Sequence, residues 1–215
     1  MLESLTHITI SRFCRDRGVF AFLQRDVLPA LATRALARGS DTVEVWSAGC
    51  ASGEEAYTLA IIWQLELARR FPSLALRILA TDVDDAMLAR ARNGSYTESS
   101  LRELPERWRA AAFTRHDQHY RVQDAFKHQV TVARHHLRNP PPPGPFDLVL
   151  CRNLAFTYFD RALQRTTATR LAAALRAGGA LVLGAHEALP PGLSQFEPWG
   201  ESTRTYRRTR FCSRQ

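Results

Sequence analysis

The stretch from Thr42 to Tyr57, Thr-Val-Glu-Val-Trp-Ser-Ala-Gly-Cys-Ala-Ser-Gly-Glu-Glu-Ala-Tyr, leaves this chain few architectures to choose from. Its opening run, Val43 to Trp46, reads as a buried strand. Small residues follow from Ser47 to Gly53, and an apolar-periodic segment then runs from Glu54 to Arg70. Strand, glycine-rich turn and helix in that order belong to an open α/β sheet. In such a sheet a nucleotide-like ligand lies beyond the carboxyl end of the first strand. Gly49 and Gly53 would let main chain approach it without a Cβ in the way.

Two details argue against a phosphate ligand. The spacing is Gly-x-x-x-Gly, which is neither the dinucleotide fingerprint nor the P-loop. The helix also opens with two carboxylates, Glu54 and Glu55, where a phosphate site needs bare N–H groups. Acids there suit the helix dipole and could meet a cationic ligand. S-adenosylmethionine (SAM) has a sulfonium, an ammonium and a ribose but no phosphate, and it fits. The plainer reading is that Glu54 and Glu55 are only favourable first-turn residues.

The rest of the chain alternates in the same way. Phe20, Phe22, Leu23, Val27, Leu28 and Leu31 form one helical face, with Pro29 expected to bend or break that helix. Leu76 to Asp84 reads as a second strand ending in acids. Asp82 stands where such folds hold ribose hydroxyls, although either Asp82 or Asp84 could cap the helix Asp85 to Asn93. Residues 95 to 128 are polar and irregular and suggest a small β-insert, with a sheet strand at Val130 to Ala133. Phe146 to Cys151 is an apolar strand with Arg152 and Asn153 at its carboxyl end. A helix from Asp160 to Arg176, closed by Gly178-Gly179, precedes strands at Ala180–Gly184 and Thr203–Phe211. The expected fold is a Rossmann-like, doubly wound, mostly parallel sheet.

Composition narrows the function. The net charge of +8 is almost wholly arginine, since Lys127 is the single lysine. No basic stripe with interleaved aromatics accompanies it, so a nucleic-acid partner is not expected. No apolar run approaches the roughly 18 residues that span a bilayer, and no signal peptide opens the sequence. The four cysteines lack metal-site spacing, and His135-His136 lack nearby Cys or carboxylate partners. A cytoplasmic protein with reduced thiols and no metal is the expectation.

Taken in order, Phe13-Cys14-Arg15-Asp16, Trp46 through Tyr57, Ala80-Thr81-Asp82-Val83-Asp84, Pro145 through Asn153 and Tyr158-Phe159-Asp160 resemble the CheR-like chemoreceptor glutamate methyltransferases. The similarity runs from about Thr9 to Glu187. It implies a class I SAM-dependent methyltransferase domain at 39–215, a small β-insert around 95–128, and a helical lead-in at 1–38. By position it implies that Glu54 meets the methionine part of SAM and Asp82 the ribose. Ala48, Gly49, Arg152 and Asn153 would line the cofactor pocket, with Thr9, Ser11 and Arg15 closing over it. His136-Leu137 stands where the family has Asn-Leu near the adenine. Arg15 and a tyrosine would flank the transferring methyl. Thr157 occupies the family's tyrosine position, and the nearest tyrosine is Tyr158. Family members that act on chemoreceptors usually carry a helical recognition domain before the Arg15 motif, where this sequence has only a few residues.

The implied reaction is in-line transfer of the SAM methyl to a carboxylate oxygen, most simply a protein glutamate. A glutamate is ionised near pH 7, since its unperturbed pKa is about 4.3, so no strong base is needed. Arg15 could orient the acceptor with its planar fork. The expected partner is an acidic or carboxylate-bearing protein, with a separate recognition partner possible. Two alternatives stay open: a methyltransferase for a small molecule or peptide, and a SAM-binding regulatory module without catalysis.

Overall fold

The computed structural model describes residues 11–200 and 204–209. Helix α1 (Arg17–Phe22) passes through a π-helical turn (Leu23–Val27) into α2 (Leu28–Ala37). Pro29 therefore does not break the helix. It lacks an N–H, and the Leu28 N–H just before it reaches the Leu23 carbonyl, five residues back. Strand β1 (Thr42–Ala48) leads to α3 (Glu54–Ile62), which continues through a second π turn (Trp63–Leu67). Then follow β2 (Ala75–Asp82) and α4 (Asp85–Asn93), which Gly94 closes at φ +68°.

The irregular segment after Gly94 contains more helix than its sequence suggests. It comprises β3 (Ser95–Thr97), α5 (Glu98–Leu101), α6 (Glu106–Ala112), β4 (Phe113–His116), β5 (His119–Val122) and α7 (Asp124–Lys127). The three strands form their own antiparallel sheet in the order β3-β5-β4. Next come β6 (Val130–Arg134), β7 (Phe146–Leu150), α8 (Ala155–Tyr158), α9 (Arg161–Ala174) and β8 (Leu175–Val182). The chain finishes with β9 (Phe196–Pro198) and β10 (Thr205–Arg208).

The main sheet has seven strands in the order β6-β2-β1-β7-β8-β10-β9. The first five run parallel, and β10 and β9 pair antiparallel at one edge. Every residue of β7 is buried, and only Glu44 of β1 is not. Covering helices on both faces of a parallel sheet require this continuous apolarity. The chain builds outward from β1 to β2 and β6, then returns to β7 on the other side. The switch point thus lies between the carboxyl ends of β1 and β7, where open α/β sheets bind their ligands.

One expected boundary is corrected. Gly178-Gly179 do not end α9; the helix stops at Leu175, already extended at φ −86°, and the glycines lie inside β8. They are needed there because the β7–β8 register shifts between Phe146 and Leu148. A Cβ on Gly179 would sit 2.8 Å from the Asp147 carbonyl.

Candidate functional site

The turn after β1 is held from below by the end of β2. The Gly49 and Cys50 N–H groups both donate to the Thr81 carbonyl, at 2.8 and 2.9 Å. The Ala51 N–H donates to Asp82 Oδ2 at 2.8 Å. From the insert, the Tyr96 hydroxyl donates to the Ser52 carbonyl at 2.6 Å. Gly49 has φ +80°, and a Cβ there would lie 2.4 Å from Leu154 Cδ2. Gly53, at φ +90°, caps α3. The Asp82/Asp84 ambiguity also resolves: Asp84 caps α4 through the Ala86 and Met87 N–H groups. Asp82 instead accepts from Ala51, Val83 and Asp84 at the rim of the turn.

Glu54 and Glu55 face different partners. Glu54 is 1% exposed, and both its carboxylate oxygens take the Ser52 hydroxyl, at 2.8 and 2.9 Å. No cation pairs with it among the described residues. A buried carboxylate with one neutral donor is electrostatically incomplete, and a ligand cation would complete it. Glu55 accepts from the Ser47 hydroxyl at 2.9 Å and from Arg152 at 2.8 Å.

Arg152 joins the turn to the N-terminal segment. Its buried guanidinium donates to Glu55, to Asp16 Oδ2 at 2.7 Å and to the Arg15 carbonyl at 3.1 Å. It also packs over the Phe20 ring, 5.1 Å from the centroid. Its hydrogen bonds go to the N-terminal turn and α3, at the edge where the resemblance places the cofactor pocket. Asp16 thus ties the turn to the end of β7 through Arg152. Phe13, one turn earlier, sits edge-on to Tyr96 and Phe113 at 4.8 and 5.1 Å, and the Cys14 N–H donates to the Thr58 hydroxyl. The Cys14-Arg15-Asp16 turn is therefore fixed from both sides.

The backbone concentrates strain at this place. Among the described residues five non-glycines have positive φ: Cys14, Asp16, Ala51, Asn153 and Asp117. The first four surround the switch point. Such conformations cost about 1–3 kcal/mol each and persist where the surroundings over-determine them.

A residue that the sequence reading passed over holds the loop after β7. Glu187, 2% exposed, accepts the Asn153 N–H at 2.7 Å, the Leu154 N–H at 3.0 Å, the Thr157 hydroxyl at 2.7 Å and the Gly184 N–H at 2.8 Å. The available signal was an acid shortly after a wholly apolar strand, at the same sheet edge as Asn153. The Thr157 hydroxyl is spent on this clamp. Tyr158, at the end of α8, is 59% exposed, which rules out core packing beside Phe156. Arg15 is likewise exposed, and Ser11 is half-buried. Thr9 lies outside the described residues.

On the β2 side, Ala48 is buried and the His135 N–H donates to the Asp82 carbonyl at 3.0 Å. His136 is exposed, with Nδ1 accepting the Arg138 N–H at 3.1 Å, and Leu137 is buried in the cluster around Trp46 and Ala48. The nearby thiols are inert. Burial pushes Cys14 up to about 12. Burial, then the Asp82 and Glu55 carboxylates, raise Cys50 as well. Protonated at neutral pH, neither is a nucleophile.

A family model described as CheR methyltransferase, SAM binding domain, matches residues 9–205. The chain belongs to the CheR family of SAM-dependent methyltransferases. It is 34% identical to the chemotaxis protein methyltransferase of Listeria innocua, across 86% of this chain and 67% of that one. The probable chemotaxis protein methyltransferase of Rhizobium etli is also 34% identical, across 86% of this chain and 70% of its own. An uncharacterized 104.1 kDa protein of Rhodobacter capsulatus is 39% identical across 87% of this chain, which spans only 21% of that protein. Among solved structures, a glycopeptide N-methyltransferase complexed with sinefungin aligns at 14% identity and TM-score 0.43, over 74% of this chain and 49% of that one. No helix among the described residues is long and apolar enough to cross a membrane.

Proposed function

We propose that this CheR-family chain transfers a methyl group from SAM to a side-chain carboxylate of a protein, most simply a glutamate. The observation that carries the reading is the Cys14-Arg15-Asp16 turn. Arg152 clamps it against Glu55 at the amino end of α3, with left-handed backbone at Cys14 and Asp16. A surface arginine with no task at this edge would not need its neighbours strained and tied down.

SAM supplies an electrophilic methyl on a sulfonium, and the residues present fit it. Glu54 offers a buried negative charge to the methionine ammonium, and Asp82 offers its carboxylate edge to the ribose hydroxyls. Ala48 and Gly49 would form the floor, Asn153 a wall and His136-Leu137 the adenine end, with Ser11 on the approach. The acceptor glutamate is already ionised near pH 7, so the protein's task is alignment and exclusion of water. Arg15 orients the acceptor carboxylate through its fork. Tyr158, exposed at the end of α8, contacts the acceptor rather than the core.

The test is transfer from methyl-labelled SAM into host lysate, with protein and small-molecule fractions counted separately. Base-labile label in protein, released as methanol, supports the reading. Label that is stable to base or confined to small molecules refutes it. Arg15→Ala should abolish turnover while leaving SAM binding within about threefold.

A further inference from the structure

Beside the strained turn, a groove of about 950 Å³ opens at the same edge of the sheet. One wall is α1 and the π turn after it, with Asp16, Arg17, Phe22 and Arg25. The other is the loop after β8 and the β9–β10 hairpin, with Trp199 and Arg207. We infer that this groove docks a carboxylate-rich segment of the methyl acceptor, so that one of its glutamates reaches Arg15. The inference rests on the carboxyl-methyltransferase reading and names where the acceptor lies.

Three observations support it. The groove is continuous with the site, because Asp16 belongs to its wall and to the Arg152 clamp. Its charge is one-sided: four arginines, Arg17, Arg25, Arg204 and Arg207, face two aspartates. Asp16 is engaged by Arg152 at 2.7 Å, Arg25 and Asp26 pair with each other at 2.7 Å, and Arg207 lies 3.7 Å from Glu197, which leaves the groove net positive. Positive potential in a concave wall collects anionic partners and orients them. The floor is also suited to a peptide. Arg207 lies 4.5 Å over the buried Trp199 ring, which holds its guanidinium at the wall, and half-buried Phe22 on the opposite side offers apolar surface for the methylene stems of glutamates.

Binding can be read apart from catalysis. A fluorescein-labelled peptide of alternating glutamate and alanine, and its glutamine counterpart, are titrated with the full chain and followed by anisotropy. The glutamate peptide should bind at least about tenfold more tightly than the glutamine one, and 0.5 M salt should remove the difference. Arg17→Glu with Arg25→Glu should weaken it by about tenfold or more, while Arg165→Glu on α9 changes it less than about twofold. Arg25→Glu alone, at a side chain 76% exposed, gives an intermediate loss, and unchanged SAM binding confirms that each variant is folded. Equal binding of both peptides, or equal loss from Arg165→Glu, overturns the groove assignment. The two readings also fail separately. Base-labile protein methylation with a groove indifferent to charge reversal removes the groove alone. Arginine-dependent peptide binding without ester formation removes the enzyme reading alone.

Discussion

Replacing Glu187 by glutamine is the sharpest test of what holds the loop after β7. Each carboxylate oxygen takes two donors: Leu154 N–H and Thr157 hydroxyl on one, Asn153 N–H and Gly184 N–H on the other. An amide has one oxygen, so its NH₂ must face one of these pairs. The better choice faces Thr157, whose hydroxyl can turn and accept, but the Leu154 N–H is then buried opposite another donor. An unsatisfied buried donor costs about 1–3 kcal/mol, and the remaining bonds lose their charge assistance, roughly half their strength. The expected loss is about 2–4 kcal/mol, or about 5–15 °C in Tm for a domain of this size. Thr157→Val removes one donor and should cost about 1 kcal/mol. Thermal unfolding by circular dichroism, with SAM titrated calorimetrically into each variant, measures both. A Glu187→Gln Tm within about 2 °C of the parent would refute the clamp, as would Thr157→Val costing as much as Glu187→Gln.

Gly49→Ala should destabilise the chain by about 1–3 kcal/mol, from its left-handed backbone and the Leu154 contact. Leu154→Ala in the same chain should recover only the steric part, which a double-mutant cycle by urea unfolding would show. Asp82→Ala should weaken SAM at least about tenfold by calorimetry, and unchanged affinity would remove the ribose assignment. Alkaline stability should follow the thiols. Unfolded cysteines ionise near pH 8.5, whereas folded Cys14 keeps its proton up to about 12 and Cys50 and Cys151 are raised further. The folded state then binds more protons between those limits. Stability is therefore unaffected below about pH 8 and falls above pH 9, by about 1.4 kcal/mol per pH unit for each thiol. Urea midpoints at pH 8, 9 and 10 check this, and a flat series contradicts it.

The central strands β1 and β7 could be read from the sequence because they are buried on both faces and announce themselves as apolar runs. The same holds for the glycine turn and for Asp82 at the end of β2. Other features depend on partners far along the chain. Helices α5 and α6 are four and seven residues long, too short to show a period. Gly178-Gly179 read as a helix stop because glycine marks both stops and bulges, and only the β7–β8 register decides between them. Arg152 was placed at the site, but its link to Asp16 spans 136 residues. Glu187 reads as an ordinary polar loop residue until three main-chain N–H groups from two loops converge on it. Side chains whose role is to satisfy backbone elsewhere leave little local signature.

The π turn between α1 and α2 has a consequence for how this chain tolerates insertions and deletions. A π turn amounts to one extra residue let into an α-helix and taken up by widening a single turn, so the segments on either side keep their relative aim. Phe20 and Asp16 both lie upstream of it, and both meet Arg152. Deleting a single residue from Leu23–Val27 would restore an unbroken α-helical ladder and leave Phe20 and Asp16 facing the guanidinium. A one-residue deletion that no bulge absorbs would instead turn everything upstream by about 100° and carry both away from Arg152. The spare residue in this one turn, rather than its identity, is what the helix can lose without losing its hold on Arg152.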